Sequence, residues 1–184
     1  MRDMFGKVLT HWRVRMVLPH VRGKLLDVGC GLNLLVRRYG QGAGVDVYPW
    51  GDIDVLVDNA ASLPFCDGAF DTVTIIAALN HIPDRIGALR EAWRVLRPGG
   101  RLIVTMIPPG IARFWHWLRK PWDADQKERG MAEGERYGLR QEEVRQLLTG
   151  SGFAPCEEHR FMLGINCLTI AEKVARQEPG QQPI

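Results

Sequence analysis

No stretch of this 184-residue chain approaches the roughly 20 consecutive apolar residues of a membrane span. Met1–Gly23 carries basic residues throughout and lacks a continuous apolar core, so no signal peptide is expected. Cysteine is scarce. Cys30, Cys66, Cys156 and Cys167 show no metal-ligand spacing, which argues against a zinc module and a disulfide framework. Reduced thiols and a cytoplasmic location are the expectation. Neither charge sign is in large excess: the net charge of +3 is too small to imply nucleic acid by itself. Internal repeats and a long linker are also absent. What is present, 46% apolar and 24% charged residues, suits one globular domain with a sizeable core.

The organising stretch is Lys24-Leu25-Leu26-Asp27-Val28-Gly29-Cys30-Gly31-Leu32-Asn33. A short apolar run stops at two closely spaced glycines, and a helical pattern begins at Leu34, which reads as strand, tight turn and helix N-terminus. Before it, residues 3–18 form an amphipathic helix with Phe5, Val8, Leu9, Trp12 and Met16 on its apolar face. After it, strands are expected at Leu25–Gly29, Gly42–Val47, Ile53–Val57, Phe70–Ile76 and Arg101–Met106, with a helix at Leu32–Tyr39. Pro83 suits the first turn of a further helix whose buried face is Ile86, Leu89, Trp93 and Leu96, ended by Pro98-Gly99-Gly100. A helix at Leu139–Gly150 and a hairpin of Phe153–Leu163 with Asn166–Lys173 close the chain. The alternation argues for an open, mostly parallel α/β sheet. Residues 1–184 read as one domain: a cap helix (1–22), a ligand-binding core (23–106), a cap or lid insertion (107–138), a helix and hairpin (139–174) and a polar tail (175–184).

A glycine turn after a first strand, with an acid ending the next, is the general pattern for adenosine ligands, the acid accepting hydrogen bonds from ribose. Asp46 lies at the required distance. A dinucleotide site asks for a third glycine where this chain has Leu34, and Asp27 would repel a diphosphate while suiting a ligand with a positive amine. A nicotinamide-dependent oxidoreductase therefore stands as a weaker alternative.

Leu26-Asp27-Val28-Gly29-Cys30-Gly31 resembles the first motif of class I S-adenosylmethionine-dependent methyltransferases, the small-molecule kind. Leu63-Pro64-Phe65-Cys66-Asp67-Gly68-Ala69-Phe70-Asp71 resembles the family's loop and fourth strand. His81-Ile82-Pro83-Asp84, Glu91 and Arg94-Val95-Leu96-Arg97-Pro98-Gly99-Gly100 are similar to its next helix and turn. The resemblance implies a Rossmann-like, doubly wound, mostly parallel sheet of seven strands, closed by an antiparallel hairpin, with helices on both faces. It implies S-adenosylmethionine as cofactor and S-adenosylhomocysteine as product. By position, Asp27, Gly29, Cys30 and Gly31 face the methionine part, Asp46 the ribose and Val47 the adenine. The acid expected four residues before Leu63 is replaced by Asn59, with Asp58 one earlier and Ala60 one later, and the assignment between Asp58 and Asn59 stays open. No metal is implied.

His81 follows the fourth strand, where ligands bind in such sheets, and is the candidate general base or pocket-shaping residue. His11, Trp12, Trp115, Trp117 and Tyr137 are candidates for the acceptor side and lid. Asn80-His81-Ile82-Pro83 lacks the Pro-Pro-aromatic signature of nucleic-acid amine methyltransferases, and the basic residues form no long stripe. A small-molecule or lipid-like acceptor is the expectation, with peripheral contact to a membrane and a soluble lid as equal readings of the basic, aromatic segments. A methyltransferase-like protein that binds cofactor without catalysis is the remaining alternative.

Overall fold

The computed structural model describes residues 4–111 and 134–174, with side chains described from Val8 onward. Helix α1 is Met4–Val17, followed by a 3₁₀ turn at Leu18–His20. Then come β1 Leu25–Val28, α2 Leu34–Tyr39, β2 Gly42–Asp46, β3 Val55–Leu56 and β4 Phe70–Ile76. After a 3₁₀ turn at Leu79–His81 follow α3 Arg85–Val95, β5 Leu96–Met106, α4 Gln141–Gly150, β6 Phe153–Phe161 and β7 Asn166–Lys173. Trp115, Trp117 and the tail lie outside the described residues, as does most of the insertion.

The seven strands lie in the order β3-β2-β1-β4-β5-β7-β6. β1 to β5 are parallel, and β7 runs antiparallel between β5 and β6. The order reverses between β1 and β4, and that switch point leaves a crevice beyond the carboxyl ends of the strands. Strand alternation divides the core into two layers. On one face Leu26, Val28, Val73, Ile75 and Val104 meet Leu89 and Val95 of α3 and Val144 and Leu148 of α4. On the other, Leu25, Ile103, Leu168 and Ile170 meet Val14 and Val17 of α1 and Leu35 and Val36 of α2.

Three expectations are corrected here. The buried face of α1 is Val14 and Val17, while Val8 and Trp12 are exposed. The reason is a polar anchor: Arg13 turns inward, and its Nε donates to Oδ1 of Asn166 at 3.2 Å, which leaves Trp12, its neighbour in sequence, and Val8, little more than a turn above, facing outward. Burial pulls the Arg13 pKa down to about 10. On α3 the inner face is Ala88, Leu89, Ala92 and Val95, and Ile86 is exposed. Small alanines let this helix lie close to the sheet. Pro98-Gly99-Gly100 does not end α3: the helix stops at Val95 and these residues fall within β5, beside a register shift against Phe70 and Thr72.

α1 also has a direction that matters for the site. Its lower end leads to Arg22, whose N–H donates to Oγ1 of Thr72 near the start of β4. Arg13 meets Asn166, next to the Cys167–Met106 pair at the carboxyl end of β5. The helix therefore spans the sheet, and its first turns stand at the crevice edge.

The α3 register makes a paired prediction. Leu89→Ala should cost about 2–5 kcal/mol of unfolding free energy in urea, whereas Ile86→Ala should stay within about 0.5 kcal/mol. Equal costs would refute the assigned face.

Candidate active site

Asp27, Asp46 and Thr74 sit at the carboxyl ends of β1, β2 and β4, all pointing to the α1–α2 face. The turn after β1 folds over them. The N–H groups of Gly29 and Cys30 both donate to the carbonyl of Val45, at 2.9 and 3.1 Å. The N–H of Gly31 donates to Oδ2 of Asp46 at 2.9 Å, and the N–H of Tyr48 to Oδ1 at 3.1 Å. Asp46 thus ties the glycine turn to the loop after β2, and each carboxylate oxygen retains acceptor capacity. Gly29 is held at φ +71, and a Cβ there would lie 2.6 Å from Cβ of Ala78. Gly31, at φ +54, faces open space. The first glycine serves packing across the switch point, and the second keeps the approach to the turn clear.

Asn33 caps α2 in the left-handed conformation at φ 56, a region that Asn tolerates better than most residues. Its Nδ2 donates to Oδ2 of Asp54 at 2.8 Å and to the carbonyl of Asp52. Asp54 also accepts from the N–H of Gly44 and pairs with Arg37. Burial works to raise the Asp54 pKa, and the bonds from Asn33 and Gly44 with the Arg37 charge outweigh it, leaving the carboxyl low. A Cβ on Gly44 would strike Oδ1 of Asn33 at 2.1 Å and Sγ of Cys30 at 2.9 Å. This locking network was not read from the sequence, although the spacing Gly44, Asp54 and the αL-tolerant Asn33 carried its signal.

The two acids under the turn are not alike. Asp27 is 3% exposed, and its Oδ1 accepts from the Thr74 hydroxyl at 2.6 Å. Burial pushes its pKa up to about 7, with the Thr74 bond opposing and the Asp46 charge adding. The Cys30 thiol is pushed up as well, by burial and then by Asp27, Asp46 and Asp54. It is no nucleophile; all four cysteines are unpaired. Asp27 and Asp46 make this wall acidic, and the hydrogen bonds to them come from neutral N–H and O–H groups.

Beyond β3, Asp58 and Asn59 are exposed and Ala60 is buried. Asn59 spends its Oδ1 on the N–H of Ala61 at 2.9 Å, an Asx turn. Asp58 has no such local task. Val47 is 44% exposed beside the turn. Glu91 and Arg94 of α3 hold the Leu63–Asp67 loop: Glu91 accepts from the N–H of Leu63, and Arg94 donates to the carbonyls of Leu63 and Phe65 and to Asp67. The Leu-Pro-Phe motif is thereby a clamped wall.

The other wall starts at Ala77, whose φ of 51 turns the chain sharply after β4. Its N–H is held by the carbonyl and hydroxyl of Thr105. The 3₁₀ turn then presents His81, whose Nδ1 lies 3.4 Å from Oε2 of Glu135. The Glu135 side chain is 2% exposed, that of His81 25%. Asn80 fixes the same strand of chain, donating to the carbonyl of Arg136 at 2.8 Å and accepting from its N–H at 2.9 Å. Arg85 donates to the carbonyl of Gly134. The strap from Gly134 to Tyr137 is therefore pinned beside His81, with Tyr137 38% exposed. Glu135 was missed in the sequence because it is 54 residues from His81. His11 and Trp12 lie exposed on the upper part of α1, towards the same end of the sheet.

The Asp27 pKa carries a pH prediction. Its folded value of about 7 exceeds the roughly 3.9 of an unfolded chain, so its stabilising protonation is complete below pH 4 and lost as pH rises through 7. The ligand-free protein should lose melting temperature between pH 5 and 8 relative to Asp27→Asn, measured calorimetrically. Parallel pH profiles for the two proteins would remove Asp27 as the cause.

Comparison with known proteins agrees with this architecture. Residues 26–104 match a family model described as "Methyltransferase domain". The chain is 40% identical over 172 residues to a ubiquinone/menaquinone biosynthesis C-methyltransferase UbiE from Hahella chejuensis, and 33% identical over 167 residues to the protein of that name from Klebsiella pneumoniae. These matches cover 86% and 84% of the chain, which spans 65% of the length of each relative. Among solved structures, one from the complex between the Haloferax volcanii Trm112 methyltransferase activator and a methyltransferase superposes with a TM-score of 0.70 at 17% identity, covering 92% of this chain and 93% of that one. This last likeness concerns the fold alone. Strand order, glycine turn and relatives converge: the chain belongs to the class I S-adenosylmethionine-dependent methyltransferase family.

Proposed function

We propose that this chain transfers a methyl group from S-adenosylmethionine to a small, apolar, lipid-like acceptor. The observation that carries the reading is the buried Asp27 under an open glycine turn, beside an Asp46 with spare acceptor capacity. An acidic wall fits a ligand with an ammonium, a sulfonium and a ribose diol, and rejects a diphosphate. When bound, that cofactor supplies an electrophilic methyl group on a good leaving group.

The residues divide the remaining work. Asp27 compensates the ammonium, and binding there favours its ionised form. Asp46 accepts from the ribose while holding the turn through Gly31. Val47 and Ala60 flank the adenine, and Asp58 reaches its amino group, since Asn59 is committed to its own turn. His81 donates Nδ1–H to Glu135, which leaves Nε2 as the basic nitrogen towards the acceptor. Glu135 stabilises the imidazolium formed when His81 takes a hydroxyl proton. Removing that proton makes an oxygen, or the ring carbon conjugated to it, nucleophilic. The names of the relatives favour a quinone-precursor class of acceptor. Positioning and exclusion of water complete the requirement for in-line transfer.

An apolar acceptor is also supported by the rim. Val8 and Trp12 on α1 and Leu163 at the tip of the β6–β7 turn are exposed at the same end of the sheet. Met162, Leu163 and Gly164 all have positive φ there, which holds Leu163 outward. This rim supports peripheral contact with a membrane surface.

Asp46→Ala should weaken S-adenosylmethionine binding at least about tenfold by calorimetry. His81→Ala should keep cofactor affinity and lose about a hundredfold in turnover on a quinol-type acceptor, with Glu135→Gln intermediate and its pH optimum shifted. Full turnover in His81→Ala would reject the base. Trp12→Ala with Leu163→Ser should lower co-sedimentation with anionic vesicles, and no binding of the parent protein would leave a soluble acceptor.

A further inference from the structure

Away from this site, at the lower end of α1, two histidines and a glutamate converge. His20 ends the 3₁₀ turn Leu18–His20, while Glu157 and His159 are two residues apart on β6 and share a face. That face is chosen by an irregularity. The pairing of β6 with β7 shifts register between Pro155 and Glu157, so Cys156 is the extra residue and Glu157, His159 and Phe161 all point to the α1 side. Nε2 of His159 lies 3.2 Å from Oε2 of Glu157, and the rings of His159 and His20 are 5.1 Å apart between centroids. One ligand atom from each of the three lies within 4.8 Å of the other two.

We propose that His20, Glu157 and His159 bind one divalent transition-metal ion of the zinc class. Bonds of about 2.0–2.2 Å around a tetrahedral ion set neighbouring ligand atoms roughly 3.4 Å apart. The Glu157–His159 pair already meets that spacing. His20 has to close a gap of up to about 1.4 Å, from 4.8 Å to roughly 3.4 Å, by rotation of its side chain on a partly exposed turn. Two imidazoles and a carboxylate suit zinc, cobalt, nickel or copper, whereas magnesium and calcium prefer oxygen ligands throughout. Solvent completes the coordination. Arg22 and Arg101 act on His20 and oppose a cation, so three ligands here bind less tightly than a closed four-ligand site.

The consequence is a clip between distant parts of the chain. His20 and His159 are 139 residues apart in sequence. β6 is an edge strand of the sheet, and the turn is the lower anchor of the helix whose upper end stands at the crevice. An ion here would fix that helix against the hairpin, and binding to the folded state alone raises stability by mass action.

The test uses the full chain stripped with a chelator, then titrated with Zn²⁺ and with Co²⁺. One ion per chain, a melting temperature a few degrees higher with metal and a cobalt spectrum free of thiolate charge transfer are expected. His20→Ala and His159→Ala should each weaken binding at least tenfold and abolish the thermal shift, and Glu157→Gln should weaken it. Cys66→Ser with Cys156→Ser should leave binding intact, which separates the site from the exposed thiols. Unchanged S-adenosylmethionine affinity in the histidine variants would show that they remain folded. No stoichiometric binding, equal binding in His159→Ala, or a thiolate band would overturn the proposal.

Discussion

The bond from the Gly31 N–H to Asp46 is the contact on which the functional end of this molecule depends. It joins the turn leaving β1 to the acid ending the neighbouring strand β2, on one side of the switch point. A charge-assisted hydrogen bond of this kind contributes about 1.5–3 kcal/mol. It succeeds only because the backbone can come close. Gly44 leaves space for Asn33 and Cys30, and Asn33 accepts the left-handed conformation that starts α2. Asp54 then takes the N–H of Gly44 and the amide of Asn33 together. The turn is shaped before any ligand arrives, which is the condition for binding without a large ordering cost.

The same place is also where the fold is least at ease. Asp27 is buried with a neutral hydroxyl as its hydrogen-bonding partner and a second carboxylate nearby, and its pKa rises accordingly. A core built for stability alone would place an apolar residue there. The cost is a carboxyl held near the protonated form by its burial. The left-handed Ala77 at the opposite wall is a second local cost at the same crevice. Stability is supplied elsewhere, by the two apolar layers against α3 and α4 and against α1 and α2.

What could be read in the sequence follows from how local the signal is. The parallel strands, the glycine turn and Asp46 are short-range patterns, and they appear where expected within a residue or two, except that β5 begins at Leu96, five residues before the expected Arg101. The cofactor and family read from those motifs agree with the relatives. The outward face of α1 was not readable, because the helix rotation is set by Arg13 meeting Asn166, 153 residues away. On α3 the expected Leu89, Trp93 and Leu96 do face the core and only Ile86 does not; the buried Ala88 and Ala92 went unread because alanines carry little hydrophobic weight in a pattern. That Asn59 spends its Oδ1 on an Asx turn is likewise visible only in the fold. Glu135 needed the strap, which returns to His81 only in three dimensions.

This division between local and distant signals separates two kinds of specificity. The wall on the glycine-turn side is built from the turn after β1, β2 and the loop beyond β3, which follow one another closely in sequence. The opposite wall is assembled from the 3₁₀ turn after β4 and the strap from Gly134 to Tyr137, with the first turns of α1 at the crevice edge. Asn80 couples them: its side chain and carbonyl both hold Arg136, while its neighbour His81 faces Glu135. A shift of the strap would therefore move Glu135 relative to His81 while the sheet beneath stays fixed, so this contact depends on how a distant segment is held and no local pattern encodes it.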